Sequence, residues 1–164
     1  MDVVLERAGR IRLLVLDVDG VLTDGRLYLS PTGEELKVFH VRDGSGLVAV
    51  QRAGITVAII SGRDSAAVSR RAAELGIRHV RQGVVDKGAQ LDRLLSELGV
   101  EPGETACVGD DTPDLPMLRR VGLAVGVADA HPALLEAAHW ITRAPGGRGA
   151  VREVCDLLLS ARAA

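Results

Sequence analysis

Ile11-Arg12-Leu13-Leu14-Val15-Leu16-Asp17-Val18-Asp19-Gly20-Val21-Leu22-Thr23-Asp24 decides the fold. Residues 11–16 form a short, nearly continuous apolar run, which suits a parallel strand covered on both faces. The run stops at Asp17, and Asp19 follows two positions on. Open parallel α/β sheets bind ligands at the carboxyl ends of their strands, so a strand ending in two carboxylates marks a candidate site.

Working outward, residues 55–60, 105–108 and 123–127 repeat the apolar run, and 77–80 repeats it more weakly. Between these lie segments 46–52, 65–75, 87–98, 113–120, 132–138 and 150–161, with apolar residues at spacings of three and four. Gly54, Gly76, Gly99 and Gly122 follow several of them, where a helix end favours glycine. Strand–helix alternation predicts an α/β fold, a three-layer Rossmann-like parallel sheet with helices on both faces. Residues 26–41 break the alternation: two extended runs flank Ser30-Pro31-Thr32-Gly33, which is turn chemistry, so a small β-hairpin is expected to project from the carboxyl edge. No repeat or linker divides the chain, and residues 1–164 read as a single domain.

Composition narrows the function. Of 164 residues 47% are hydrophobic and 26% charged, the balance of a globule with its own core. A net charge of −2 and three aromatics (Tyr28, Phe39, Trp140) argue against a nucleic-acid partner. Trp140 reads as core. Cys107 and Cys155 fit no metal spacing and read as buried thiols of a reducing compartment. The acidic start, residues 1–7, does not read as a signal peptide, and no run approaches the ~18 apolar residues of a membrane span. A cytoplasmic protein with no membrane partner is expected.

Two more strands end in polar residues. After 55–60 comes Ser61-Gly62-Arg63-Asp64; after 105–108 comes Gly109-Asp110-Asp111-Thr112-Pro113-Asp114. Asp17, Asp19, Asp110, Asp111 and Asp114 converge with too few local cations. Carboxylates leaving water need pairing or a metal, and a hard divalent ion, Mg²⁺, suits oxygen ligands. Asp64 and Asp114 also fit helix N-caps. Lys87 opens a predicted helix, and Ser61-Gly62 offers a hydroxyl and backbone N–H groups, so a phosphate between them and the metal would be neutralised on every side.

These motifs, in this order, resemble the phosphatases of the haloacid dehalogenase superfamily. Further stretches, Gly33-Glu34-Glu35-Leu36-Lys37, Val41-Arg42-Asp43-Gly44, Val127-Ala128-Asp129-Ala130-His131-Pro132 and Gly146-Gly147-Arg148-Gly149-Ala150-Val151-Arg152-Glu153, are similar to its 3-deoxy-D-manno-octulosonate 8-phosphate phosphatase branch. The resemblance implies Asp17 as nucleophile, Asp19 as general acid and base, and Ser61 and Lys87 as phosphoryl-binding groups. It implies Mg²⁺ held by Asp17, the Asp19 carbonyl and Asp110, with Asp111 in support. It places His40, Val41, Arg42, Asp43, Gly44, Arg63 and Arg71 toward a small phosphorylated sugar acid of lipopolysaccharide precursor synthesis. The hairpin is too small to cover a substrate alone. In the resembled branch four hairpins pack together, implying a homotetramer, and the flexible glycine-rich loop 146–149 carries Arg148 toward a site, its own or a neighbour's.

Blander readings stand beside these. His40 also fits an edge strand, His131 a cap, and Arg70 a solvated face. Rival functions are a phosphatase of a nine-carbon keto-deoxy acid, a non-catalytic assembly module, and a phospho-accepting signalling domain. The nine-carbon branch typically has glutamate where Arg63 stands, and a stored phosphoryl group needs no acid at Asp19.

Overall fold

The computed structural model describes residues 2–163. Six parallel strands form the central sheet: β1 (Leu13–Leu16), β4 (Thr56–Ile60), β5 (His79–Arg81), β6 (Thr105–Gly109), β7 (Leu123–Gly126) and β8 (Trp140–Ile141). Their spatial order is β5-β4-β1-β6-β7-β8, so the winding reverses between β1 and β6, and a doubly wound sheet opens its ligand crevice there. Leu16 is level with Ile59 on one side and Val108 on the other, which brings Asp17, Ser61 and Asp110 to one edge. β1, β6 and β7 are buried along their whole length, as the unbroken apolar runs require.

The connecting helices are α1 (Asp2–Gly9), α2 (Val41–Arg52), α3 (Ala66–Glu74), α4 (Lys87–Leu98), α5 (Leu115–Leu118), α6 (Pro132–Ala137) and α7 (Ala150–Ala163). α7 packs against α1 and α2 on one face, and α4 against α5 on the other. Asp86 caps α4 by accepting the Ala89 N–H at 2.9 Å, and Gly99 ends the helix at φ +61°, a left-handed turn that glycine adopts without strain. No described helix is long and apolar enough to cross a membrane. Cys107 and Cys155 are buried, and burial pushes the Cys155 thiol up to about 12, so both pack as small hydrophobes.

Several expectations need correction. The hairpin is smaller than 26–41: β2 (Tyr28–Leu29) pairs antiparallel with β3 (Glu35–Leu36), and α2 already begins at Val41. The apolar pattern places that start at residue 46, because Gly44 and Gly46 weaken a helix taken alone. Here they are close contacts: a β-carbon at Gly44 would meet the Arg71 guanidinium, and one at Gly46 would meet Cys155 Cβ at 3.0 Å. Residues 113–120 divide into a 3₁₀ turn, Thr112–Asp114, and the single turn of α5. α1 and β8 went unanticipated. Ser65, rather than Asp64, stands at the N-cap of α3, without a side-chain bond.

Candidate active site

Asp17 follows β1 and is buried, and its Oδ1 accepts a hydrogen bond from Lys87 Nζ at 2.8 Å. Lys87 reaches it from the first turn of α4 and also donates to Asp114 Oδ1 at 2.6 Å. Asp114 is only 1% exposed, and its Oδ2 accepts the Asp110 N–H at 3.0 Å, which fixes the loop after β6. One carboxylate oxygen from each of Asp17, Asp110 and Asp114 lies within 4.8 Å of the others. Gly20 closes the same corner: at φ +88° it sits so near the Asp110 carboxylate that a β-carbon would overlap it.

The electrostatics follow from three carboxylates sharing one cation. Burial, then the Asp114 charge, pushes Asp17 up to about 6 against the pull of Lys87. Burial, then Asp17 and Asp114, pushes Asp110 up to about 8. Burial alone would lower the Lys87 ammonium, but the paired aspartates outweigh it and hold it above the ordinary lysine value. Carboxylates this strained by one another fit a hard divalent cation, which would remove the repulsion that protonation otherwise relieves.

A cleft of about 500 Å³ opens over the cluster, walled by Asp19, Ser61, Arg63, Val85 and Asp111. Ser61 is buried beside it, but its N–H is spent on the Arg81 carbonyl at 2.9 Å, leaving the hydroxyl as its available donor. Asp111 is exposed and accepts the Thr112 N–H at 2.7 Å, capping the turn that carries Asp114.

The comparisons meet this geometry. The family pattern of haloacid dehalogenase-like hydrolases matches residues 77–152. The 3-deoxy-D-manno-octulosonate 8-phosphate phosphatase KdsC of Yersinia pestis is 52% identical over 161 residues, which are 98% of this chain and 86% of the relative. The chain belongs to the KdsC family of haloacid dehalogenase-like phosphatases. It is therefore a phosphoric monoester hydrolase with an α/β fold. KdsC of Escherichia coli K12 is 53% identical over 97% of this chain and 85% of its own length. The crystal structure of the Moraxella catarrhalis phosphatase, in complex with a magnesium ion, a phosphate ion and a KDO molecule, superposes with a TM-score of 0.98. That protein is 44% identical, over 99% of this chain and 94% of its own.

Around the cleft the remaining candidates divide. Arg63 reaches it, its Nη2 donating to Glu35 Oε2 at 2.5 Å and its Nε 3.8 Å from Asp19 Oδ2. His40, Asp43, Gly44 and Arg71 instead line a small, mainly apolar pocket with Phe39 and Leu22. His40 is the N-cap of α2, accepting the Arg42 N–H at 3.2 Å, rather than an edge-strand residue. Asp43 is buried and receives the Arg152 N–H at 2.9 Å, tying α2 to the start of α7, and burial holds its carboxyl above the usual range. Val41 and Arg42 are exposed in the first turn of α2.

The loop 146–149 is fastened to the segment after β1 and to Asp129. Gly147 N donates to the Val21 carbonyl at 2.9 Å, Gly146 N to Asp129 Oδ1 at 3.0 Å, and Gly146 touches Gly20 too closely for any side chain. Arg148 emerges exposed from this seated loop. His131 caps α6, and its N–H holds the Asp110 carbonyl at 2.7 Å. Sequence reasoning placed Asp114 among the converging aspartates, and the structure adds that its Oδ1 is turned to Lys87. One side chain was missed. Lys37 looks like an ordinary hairpin lysine, yet its ammonium donates to Asp19 Oδ1 at 2.5 Å.

Proposed function

We propose that the chain hydrolyses 3-deoxy-D-manno-octulosonate 8-phosphate to the free sugar acid and phosphate, with Mg²⁺, in lipopolysaccharide precursor synthesis. The observation that carries this reading is 52% identity over 98% of the chain to a phosphatase named for that substrate. The carboxylate cluster beneath the cleft supports the chemistry. Asp17, Asp110 and the Asp19 backbone carbonyl would hold the metal, with Asp111 supporting the loop. Bound there, Mg²⁺ supplies positive charge that neutralises the carboxylates and the phosphoryl oxygens.

The protein's own groups carry the two steps. The Asp17 carboxylate attacks phosphorus, the bond to the sugar oxygen breaks, and Asp19 gives that oxygen its proton. Water then attacks the aspartyl-phosphate, Asp19 takes the water's proton, and phosphate leaves with Asp17 restored. The Lys87 ammonium and the Ser61 hydroxyl hold the phosphoryl oxygens through both steps. Arg63, at the cleft wall, offers a guanidinium to the substrate carboxylate, and the exposed Val41, Arg42 and Arg148 would form the sugar-acid side, while His40, Asp43, Gly44 and Arg71 line the neighbouring pocket. Leu27 and Leu29 are exposed on one side of the hairpin, and Tyr28, Leu36 and Val38 on the other. Contact with further copies would cover such apolar residues, and we propose a cytoplasmic homotetramer, read by light scattering.

The test is phosphate release with Mg²⁺ from the octulosonate 8-phosphate, a nine-carbon 9-phosphate, a hexose 6-phosphate and an aryl phosphate. A kcat/KM preference of ~100-fold for the first, about 2.7 kcal/mol, supports the reading. Equal slow rates on all four remove the named substrate, and no release from any removes the phosphatase.

A further inference from the structure

The hairpin is exposed, but one of its side chains is not. Lys37 directly follows β3 in the segment that returns to α2, and its side chain is only 2% exposed. Its ammonium donates to Asp19 Oδ1 at 2.5 Å and lies 2.8 Å from Glu35 Oε1, in ion-pair contact but off the direction of a hydrogen bond. Glu35 in turn holds Arg63 through its other oxygen, and Arg63 Nε lies 3.8 Å from Asp19 Oδ2. Two acids and two bases thus close a ring around the residue read above as the proton carrier.

Burying a lysine head costs several kcal/mol unless charged partners replace its water, and here the partners are supplied by two different parts of the chain. The ring has a directional consequence. A carboxyl group on a short side chain turns freely about its last bond. With Oδ1 held by Lys37, that turning stops, and Oδ2 stays on the side of Arg63, a residue of the cleft wall. The Asp17–Lys87–Asp114 cluster does not provide this, because none of its bonds reaches the Asp19 side chain.

We propose that Lys37 is a positioning residue, which fixes one oxygen of Asp19 so that the other delivers the proton to the leaving group. This rests on the phosphatase reading. It separates Lys37 from a mere fastening of the hairpin, because only proton delivery depends on the leaving group. An alkoxide leaves slowly without a proton, whereas p-nitrophenolate leaves readily without one.

The experiment measures Mg²⁺-supported kcat and KM of Lys37→Met, Lys37→Gln and Lys37→Arg on p-nitrophenyl phosphate and on the best alkyl phosphate of the panel. In Lys37→Met the alkyl kcat falls ~100-fold and the aryl kcat no more than about fivefold, with both KM values within about threefold. Lys37→Arg recovers most of the alkyl rate. Lys37→Gln is polar but uncharged and one atom too short to reach Asp19, and it gives the same ratio where Lys37→Met does not fold. Equal losses on both substrates, or no loss on the alkyl phosphate, overturn the proposal. A wild type that hydrolyses neither compound overturns the phosphatase reading itself, and this inference falls with it.

Discussion

Two clusters of charge face the same cleft, and they are built to opposite accounts. At the switch point, Asp17, Asp110 and Asp114 share a single buried cation, Lys87. At the foot of the hairpin, Asp19 and Glu35 meet Lys37 and Arg63, two acids with two bases. The first set is short of positive charge and has a place for a metal ion. The second is complete in itself and needs nothing added to hold its shape. Imbalance marks where the protein receives a ligand, and balance marks where it positions one.

Deepening the imbalance should have the largest effect. Lys87→Met leaves three carboxylates with no buried cation, and breaking such a pair costs about 3 kcal/mol. Urea unfolding of the metal-free variant should show that loss, and phosphatase activity should fall at least ~100-fold with the phosphoryl-binding ammonium gone. A variant as stable and active as the parent would mean that Lys87 is a spectator.

Filling the imbalance should appear as a pH effect. Asp17 and Asp110 ionise near 6 and 8 in the folded protein, above the ordinary value of 3.8. Raised acids favour the folded state while protonated, so their contribution is present at low pH and lost as pH rises through about 6 and then about 8. The metal-free Tm should therefore decline between about pH 5 and pH 8.5, and added Mg²⁺ should raise Tm more at pH 8 than at pH 5.5. A metal-free Tm that climbs across this window, or an Mg²⁺ effect larger at acid pH, would contradict the charge-starved cluster.

The balanced cluster should respond more mildly. Arg63→Glu turns two acids and two bases into three acids and one base, in a side chain about half exposed. KM for the octulosonate 8-phosphate should rise about tenfold, near 1.4 kcal/mol, with kcat changed less. An unchanged KM would remove Arg63 from the substrate carboxylate.

How much of this the sequence carried follows the same division. Five of the six strands were legible because buried parallel strands are written as apolar runs, and 105–108 and 123–127 each lie within one residue of β6 and β7. Helix α4 matches residues 87–98 at both ends, because Asp86 and Gly99 are strong caps. The aspartates at the strand ends were legible because a charge directly after a buried run has few harmless explanations. The start of α2 was not, since Gly44 and Gly46 serve contacts with α3 and α7 that no local pattern records. Nor was Lys37, whose partner lies 18 residues away along the chain. Balanced ion pairs in particular leave no excess charge for a sequence reading to notice.

The central claim is that Asp17 attacks phosphorus, and acid quenching during turnover of a radiolabelled sugar phosphate tests it most directly. The account predicts label on the peptide containing Asp17, labile to base, and none on Asp17→Asn, whose turnover falls by about 10⁴-fold or more. Full turnover by Asp17→Asn, or label carried by a peptide lacking Asp17, would contradict it.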